Sequence, residues 1–191
     1  MTNKRYLGLD PSLTATGYCL TDVDGTLLSK GTIKTGTRRG YPRMQYIRDQ
    51  VLDLLSFPTV AMLEGYAMGT HAVKFGQGMT LAELHGILRL ALYEHVPGVV
   101  AASVPPSSLK KYATGSGVAK KDTMITRAAV LYGTEPKDDN EADAMHLARM
   151  ARDWWTGAKV PADYREGMKK IGVLYPEPFH RSAPRVRRRA A

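Results

Sequence analysis

One cysteine, Cys19, is all the thiol this 191-residue chain holds. That scarcity excludes an intramolecular disulfide framework and any zinc site built on cysteine. Cys19 lies in the apolar stretch Gly17-Tyr18-Cys19-Leu20, where a small buried side chain is the expected role rather than a nucleophile. Long apolar runs are missing too. No window reaches the ~20 residues of a membrane span, and Met1-Thr2-Asn3-Lys4-Arg5 lacks the apolar core of a secretion signal. A cytoplasmic protein, of a bacterial or phage-infected host cell, is the expectation. Acid is also in deficit: 18 Asp+Glu face 27 Lys+Arg, for a net charge of +9 and a pI near 9.7. Such a surplus favours a polyanionic partner, because each phosphate contact releases condensed counterions. It equally suits a basic, soluble surface, so charge alone indicates nucleic acid without establishing it. The remainder is ordinary globular composition, 43% hydrophobic and 24% charged, in a chain long enough for one domain with a proper core.

The apolar pattern shows no internal repeat. Residues 5–34 read as three strands joined by tight turns, with Asp22-Val23-Asp24-Gly25 as a hairpin signal. Over residues 41–56, Met44, Ile47, Val51 and Leu54 fall on one helical face. Val60-Ala61-Met62-Leu63 is a short buried strand ending at Glu64, and a glycine-rich loop follows. A long apolar helix over residues 79–95, a strand over 99–104 and helices over 107–114, 120–131 and 140–154 complete the pattern. A three-strand meander followed by alternating helices and strands predicts an α/β domain with a five-stranded mixed sheet flanked by helices. The domain is expected to span residues 1–156. Residues 157–191 read as a basic C-terminal extension, with Arg181, Arg185, Arg187, Arg188 and Arg189 near its end.

Two strands end in an acid, Asp10 and Glu64, each directly after apolar residues. In open α/β sheets, sites form at the carboxyl ends of strands. An unpaired carboxylate at the lip of a core costs several kcal/mol or binds a proton. A divalent cation removes that cost, and magnesium takes oxygens from one or two carboxylates plus substrate phosphate. A third acidic group opens the last helix, Asp138-Asp139-Asn140-Glu141-Ala142-Asp143. There Asn140 and Asp143 share a face at i, i+3, and Asp139 and Asp143 share an overlapping one at i, i+4. Three separated carboxylates suit two ions about 4 Å apart, the arrangement for in-line phosphodiester hydrolysis. Each acid also has an ordinary structural account. Asp10-Pro11 is a turn signal, Glu64 can face solvent, and Asp138-x-x-Glu141 matches a capping box.

The ordered set resembles the RuvC family of Holliday-junction resolvases. Leu7 through Asp10-Pro11, with Thr16-Gly17-Tyr18 following, is similar to that family's opening strand and turn. Ala61-Met62-Leu63-Glu64 with Tyr66-Ala67-Met68 resembles its second acid and the segment beyond. Phe75-Gly76-Gln77-Gly78, Gly117-Val118-Ala119-Lys120-Lys121 and Glu141-Ala142-Asp143-Ala144 resemble three later motifs, in the family's order, across residues 5–152. The resemblance implies a ribonuclease-H-like fold, magnesium-dependent nicking of branched DNA such as four-way junctions, and a homodimer that cuts two strands symmetrically. It implies two Mg2+ ions, with Mn2+ as a substitute, held by Asp10, Glu64 and Asp143. Water activated beside one ion would attack the phosphodiester, and the 3′ oxygen would leave toward the other, giving a 5′-phosphate nick. Two positions depart from the family. Ser12 replaces a glycine, and the further helix ligand falls on Asn140, which offers an amide oxygen without charge; helical register favours it over Asp139.

Lys110, Lys111, Lys120 and Lys121 bracket the Thr114-Gly115-Ser116-Gly117 turn and are candidates for phosphate contact. Lys121, the best match to the family loop, is a candidate for steadying charge on the scissile phosphate. Tyr66 and Phe75 are candidates for stacking on an unpaired base. His146, one turn beyond Asp143, is expected to pack, and Trp154-Trp155 to close a hydrophobic cap. Residues 79–95 are the expected dimer face, and the compact form with a basic end is similar to viral members of the family. Two rivals stand beside the nuclease: a junction-binding protein of the same fold with weakened catalysis, suggested by Asn140, and a nucleotide-hydrolysing relative. For the second, Asp10-Pro11-Ser12-Leu13 is a poor phosphate loop.

Overall fold

The computed structural model describes residues 4–55, 58–65, 77–95 and 98–175. In chain order these give strands β1 (Arg5–Asp10), β2 (Ala15–Thr21) and β3 (Leu27–Lys34), then helix α1 (Gly40–Leu52) and strand β4 (Thr59–Glu64). Helix α2 (Gln77–Glu94) and strand β5 (Val99–Val104) follow, then helices α3 (Pro106–Thr114), α4 (Lys121–Tyr132), α5 (Asp139–Thr156) and α6 (Ala162–Met168), and strand β6 (Gly172–Val173). The sheet order is β3-β2-β1-β4-β5-β6. β1 runs antiparallel to β2 and parallel to β4, and β5 is parallel to β4.

The sheet has six strands where the sequence reading counts five. The sixth pairs Val173 with Ala102 and Gly172 with Ser103. Two residues have no alternation to read, so this edge strand leaves no trace in the hydropathy. It lies, with α6, in the segment after residue 156, and α6 packs on α3: a Cβ on Gly167 would sit 2.3 Å from the Ser108 carbonyl oxygen.

Alternation along the strands divides the core. Leu7, Leu9, Ala61 and Leu63 face Met44, Ile47 and Val51 of α1 and Leu84, Leu88 and Leu92 of α2. Tyr6, Val60, Met62, Ala102 and Val104 face the opposite way, against Leu109 and Tyr112 of α3 and Leu147, Met150 and Ala151 of α5. Trp154 and Trp155 pack edge to face, centroids 6.3 Å apart, against this second cluster, as the cap expected of them.

Helix α5 lies directly on β1 and β2 because two glycines make room for it. A Cβ at Gly8 would come within 2.0 Å of the Ala144 carbonyl oxygen, and one at Gly17 within 2.0 Å of the Asn140 carbonyl oxygen. The first turn of α5 is fixed by two polar clamps. Asp138 caps it by accepting from the Glu141 backbone N–H at 2.9 Å, and Thr32 of β3 donates to the Asp138 carboxylate at 2.9 Å. The Glu141 side chain does not complete the expected capping box. It turns into the core and forms an ion pair with Lys30 of β3.

Candidate metal centre

The register of β1 on β4 pairs Leu9 with Leu63. Continuing it one step brings Asp10 level with Glu64 at the ends of adjacent parallel strands, on the face that α5 covers. Asp143, one turn into α5, completes the group: one carboxylate oxygen each from Asp10, Glu64 and Asp143 lie within 4.8 Å of one another. The three acids that the sequence places at two strand ends and a helix start are thus brought together. Ser12, next to the site, costs nothing for its missing glycine. No described non-glycine residue has positive φ, and Ser12 closes its turn through its backbone, its N–H donating to Thr16 Oγ1 at 3.1 Å and its carbonyl accepting from that hydroxyl at 2.7 Å.

Crowding decides the charge state. Asp10 is only 9% exposed. Burial first, then the neighbouring Glu64 charge, push its carboxyl well above the ordinary aspartate range, and it donates a hydrogen bond to Glu64. Glu64 is also raised, by burial, against the opposing pull of that hydrogen bond and of Lys110. Burial and the charges of Glu64 and Asp139 raise Asp143 to about 7. Asp143 Oδ1 is buried without a hydrogen-bond partner. An all-oxygen pocket with an orphaned acceptor, short of positive charge, fits a hard divalent cation.

The other candidates separate. Asn140 opens α5 beside β2: a Cβ on Gly17 would sit 3.1 Å from the Asn140 Cβ. Asp139 stands outside the three-carboxylate group, in an ion pair with Lys121 at the start of α4. Lys110 and Lys121 both act on the acids, each lowering the pKa of Asp143. Lys111 instead faces α6, where its charge is felt by Glu166. Lys120 is exposed at the N-cap of α4. Tyr66 and Phe75 lie outside the described residues. His146 is not in the site. It is buried, hydrogen-bonds the Met124 carbonyl at 3.0 Å and is pushed down to about 4, which makes it a neutral packing residue. Cys19 is fully buried with its thiol pushed up to about 12, the inert role expected.

What sequence reasoning missed is the support. Lys30 gives no sign in its strand that it anchors Glu141, 111 residues away, and nothing in the strand pattern marks Gly8 and Gly17 as the places where a helix lands.

Acids at the ends of β1 and β4 and on the helix across them, on a 3-2-1-4-5 sheet with a short added edge, define a ribonuclease-H-like nuclease. Comparison with known proteins narrows the class. The family described as crossover junction endodeoxyribonuclease RuvC matches residues 6–150, and the chain belongs to that family. Among similar proteins, the crossover junction endodeoxyribonuclease RuvC of Neorickettsia sennetsu is 30% identical over 152 residues, covering 74% of this chain and 89% of the relative. That of the Wolbachia of Brugia malayi is 28% identical over 152 residues, covering 75% and 91%. Thermus thermophilus RuvC, solved in complex with a Holliday junction substrate, superposes with a TM-score of 0.66 at 20% identity, over 81% of this chain and 97% of that one.

Proposed function

We propose that this chain is a magnesium-dependent endonuclease that nicks branched DNA, four-way junctions foremost, in the bacterial or phage-infected cytoplasm. The observation that carries this reading is the convergence of Asp10, Glu64 and Asp143 oxygens to within 4.8 Å, with an unpaired buried acceptor on Asp143. These three would hold the metal, two Mg2+ ions or Mn2+ in their place, with the Asn140 amide oxygen as the fourth donor. Bound there, the metal supplies a nucleophilic water at neutral pH and a counter-charge to the leaving oxygen. The chain's own groups do the rest. Asp10, Glu64 and Asp143 give up their protons to become donors, Lys110 and Lys121 approach the phosphate, and Lys120 and, more weakly, Lys111 hold the backbone beside it. Tyr66 and Phe75 would stack on bases exposed at the branch.

A symmetric junction calls for two copies. Helix α2 exposes Met79 at 70%, Leu90 at 57% and Tyr93 at 40%, and Leu90 also lines an open groove of about 450 Å³ with Tyr41 and Ile87. That is the face proposed for a homodimer.

The test is nicking of a synthetic four-way junction with and without magnesium. Wild type should cut only with the metal, and Asp10→Asn and Glu64→Gln should bind the junction yet leave it intact. Full-rate cutting by either variant removes that residue from the site. Asn140 supports a second reading, a junction binder with weakened catalysis. Wild type that binds but does not nick, with Asn140→Asp gaining activity, would select it.

A further inference from the structure

We propose that Asp139 is the positioning residue for Lys121, a tether that holds its ammonium at the rim of the acid cluster, and not a metal ligand. The inference rests on the nuclease reading above. Successive residues of a helix stand about 100° apart, so Asp139 and Asn140 leave the start of α5 in different directions. Asn140 leaves beside β2, against Gly17. Asp139 leaves toward α4, where its Oδ2 pairs with Lys121 Nζ.

Lys121 needs such a partner. Its side chain is 77% exposed at the first position of α4. A lysine in that state samples many rotamers, at a cost of about 2 kcal/mol when it must adopt one. Asp139, with a side chain 31% exposed on the first turn of a fixed helix, removes most of that freedom in advance. The ammonium carries three N–H donors. One goes to Asp139, and two remain for a phosphate oxygen. The pair sits close enough to the cluster for Lys121 to act electrostatically with Asp143 and Asp10, yet the Asp139 carboxylate is not among the oxygens that converge there. Asp139 therefore keeps a negative charge near a site whose Asn140 lacks one, but spends it on the lysine.

A double-mutant cycle tests this with Asp139→Asn, Lys121→Met and the pair, on the full-length protein. Asp139→Asn should slow nicking of saturating junction about tenfold, below the ~100-fold that a 1 Å misplacement can cost, while junction affinity in EDTA does not weaken. In the Lys121→Met background the same substitution should have no further effect, because the tether has nothing left to hold. Asp139→Glu should recover most of the rate. Mn2+ affinity of the free protein should fall by no more than about tenfold in Asp139→Asn, the scale of a unit charge lost several Å from a divalent ion in water, whereas Asp143→Asn should lose far more. Acetylation of lysines in the metal-free protein, read by mass spectrometry, should modify Lys121 several-fold faster in Asp139→Asn. A fall in Mn2+ affinity matching Asp143→Asn would make Asp139 a ligand. Rate losses that multiply in the double variant, or equal acetylation of Lys121 in wild type and Asp139→Asn, would also overturn the proposal. Wild type that fails to nick at all defeats the nuclease reading instead, and the acetylation rates still decide the tether.

Discussion

Asp10, Glu64 and Asp143 titrate as a group, because no one of them can lose its proton without raising the cost for the next. Asp143 has a folded-state pKa of about 7 against an ordinary value near 3.8. Between those values the folded state binds more protons than the unfolded one, so its stability falls as pH rises from about 4 through about 7. Thermal melts of the metal-free protein should therefore show a Tm that drops from pH 5.5 to pH 8. Asp143→Asn should flatten that drop, and a Tm that rises over this window in wild type would contradict the crowded cluster. Magnesium bound at the proposed site would have to displace the same protons. Calorimetry at pH 6.5 in buffers of different ionisation enthalpy should find protons released on binding, and fewer at pH 8.5. Which residues these are was legible in the sequence: each is an acid ending an apolar run or opening a helix. The distribution of protons was not, because it depends on separations that only the fold sets.

The element that assembles the site is α5, and its placement depends on small residues and one ion pair. Alanine at Gly8 would bring a methyl to 2.0 Å from the Ala144 carbonyl oxygen and 2.4 Å from the Ala148 nitrogen, both backbone atoms that cannot swing aside. Helix and sheet must separate, at a cost of about 3 kcal/mol or more. That should lower Tm by on the order of 10 °C and abolish nicking, since Asp143 moves with the helix. Gly86 of α2 has open space around its missing Cβ, so Gly86→Ala is the control and should be neutral or stabilising by up to about 1 kcal/mol. Lys30→Met probes the other anchor. Glu141 is fully buried and its Oε2 already lacks a partner, so removing the lysine strands a buried charge, at about 3–5 kcal/mol. A chemical-denaturation midpoint unchanged by Lys30→Met would mean the pair is dispensable. Strand and helix identities followed from periodicity, because the core selects it. The landing site of α5 did not, because a glycine on a strand looks the same whether or not a helix rests on it. Strand β6 was lost for a third reason, being shorter than one alternation.

At the scale of the whole molecule, a net charge of +9 suits contact with DNA phosphates, and the one acid cluster found among the described residues suits one cut per copy in the function proposed above. Two coordinated cuts need a second copy, and the dimer proposed through α2 separates the two abilities. Met79 and Leu90 are among the most exposed large apolar side chains described. Replacing both by aspartate removes little packing from the monomer and places four like charges across a two-fold contact. The variant should therefore fold as wild type does but sediment as a monomer at concentrations where wild type is a dimer. Its acid cluster, with oxygens within 4.8 Å of one another and drawn entirely from one chain, remains intact, so chemistry at a single phosphodiester should survive. On a supercoiled plasmid carrying an extruded cruciform, wild type should release linear DNA through paired cuts. The monomeric variant should leave mainly nicked circles, because its second cut must await an independent encounter. Its junction affinity should also depend less steeply on salt, roughly halving the slope of log K against log salt as the phosphate-contacting lysines per complex are halved. Linear product and a dimeric sedimentation coefficient retained by the variant would move the interface elsewhere. Monomeric wild type that still yields linear product would mean that successive cuts by single chains suffice.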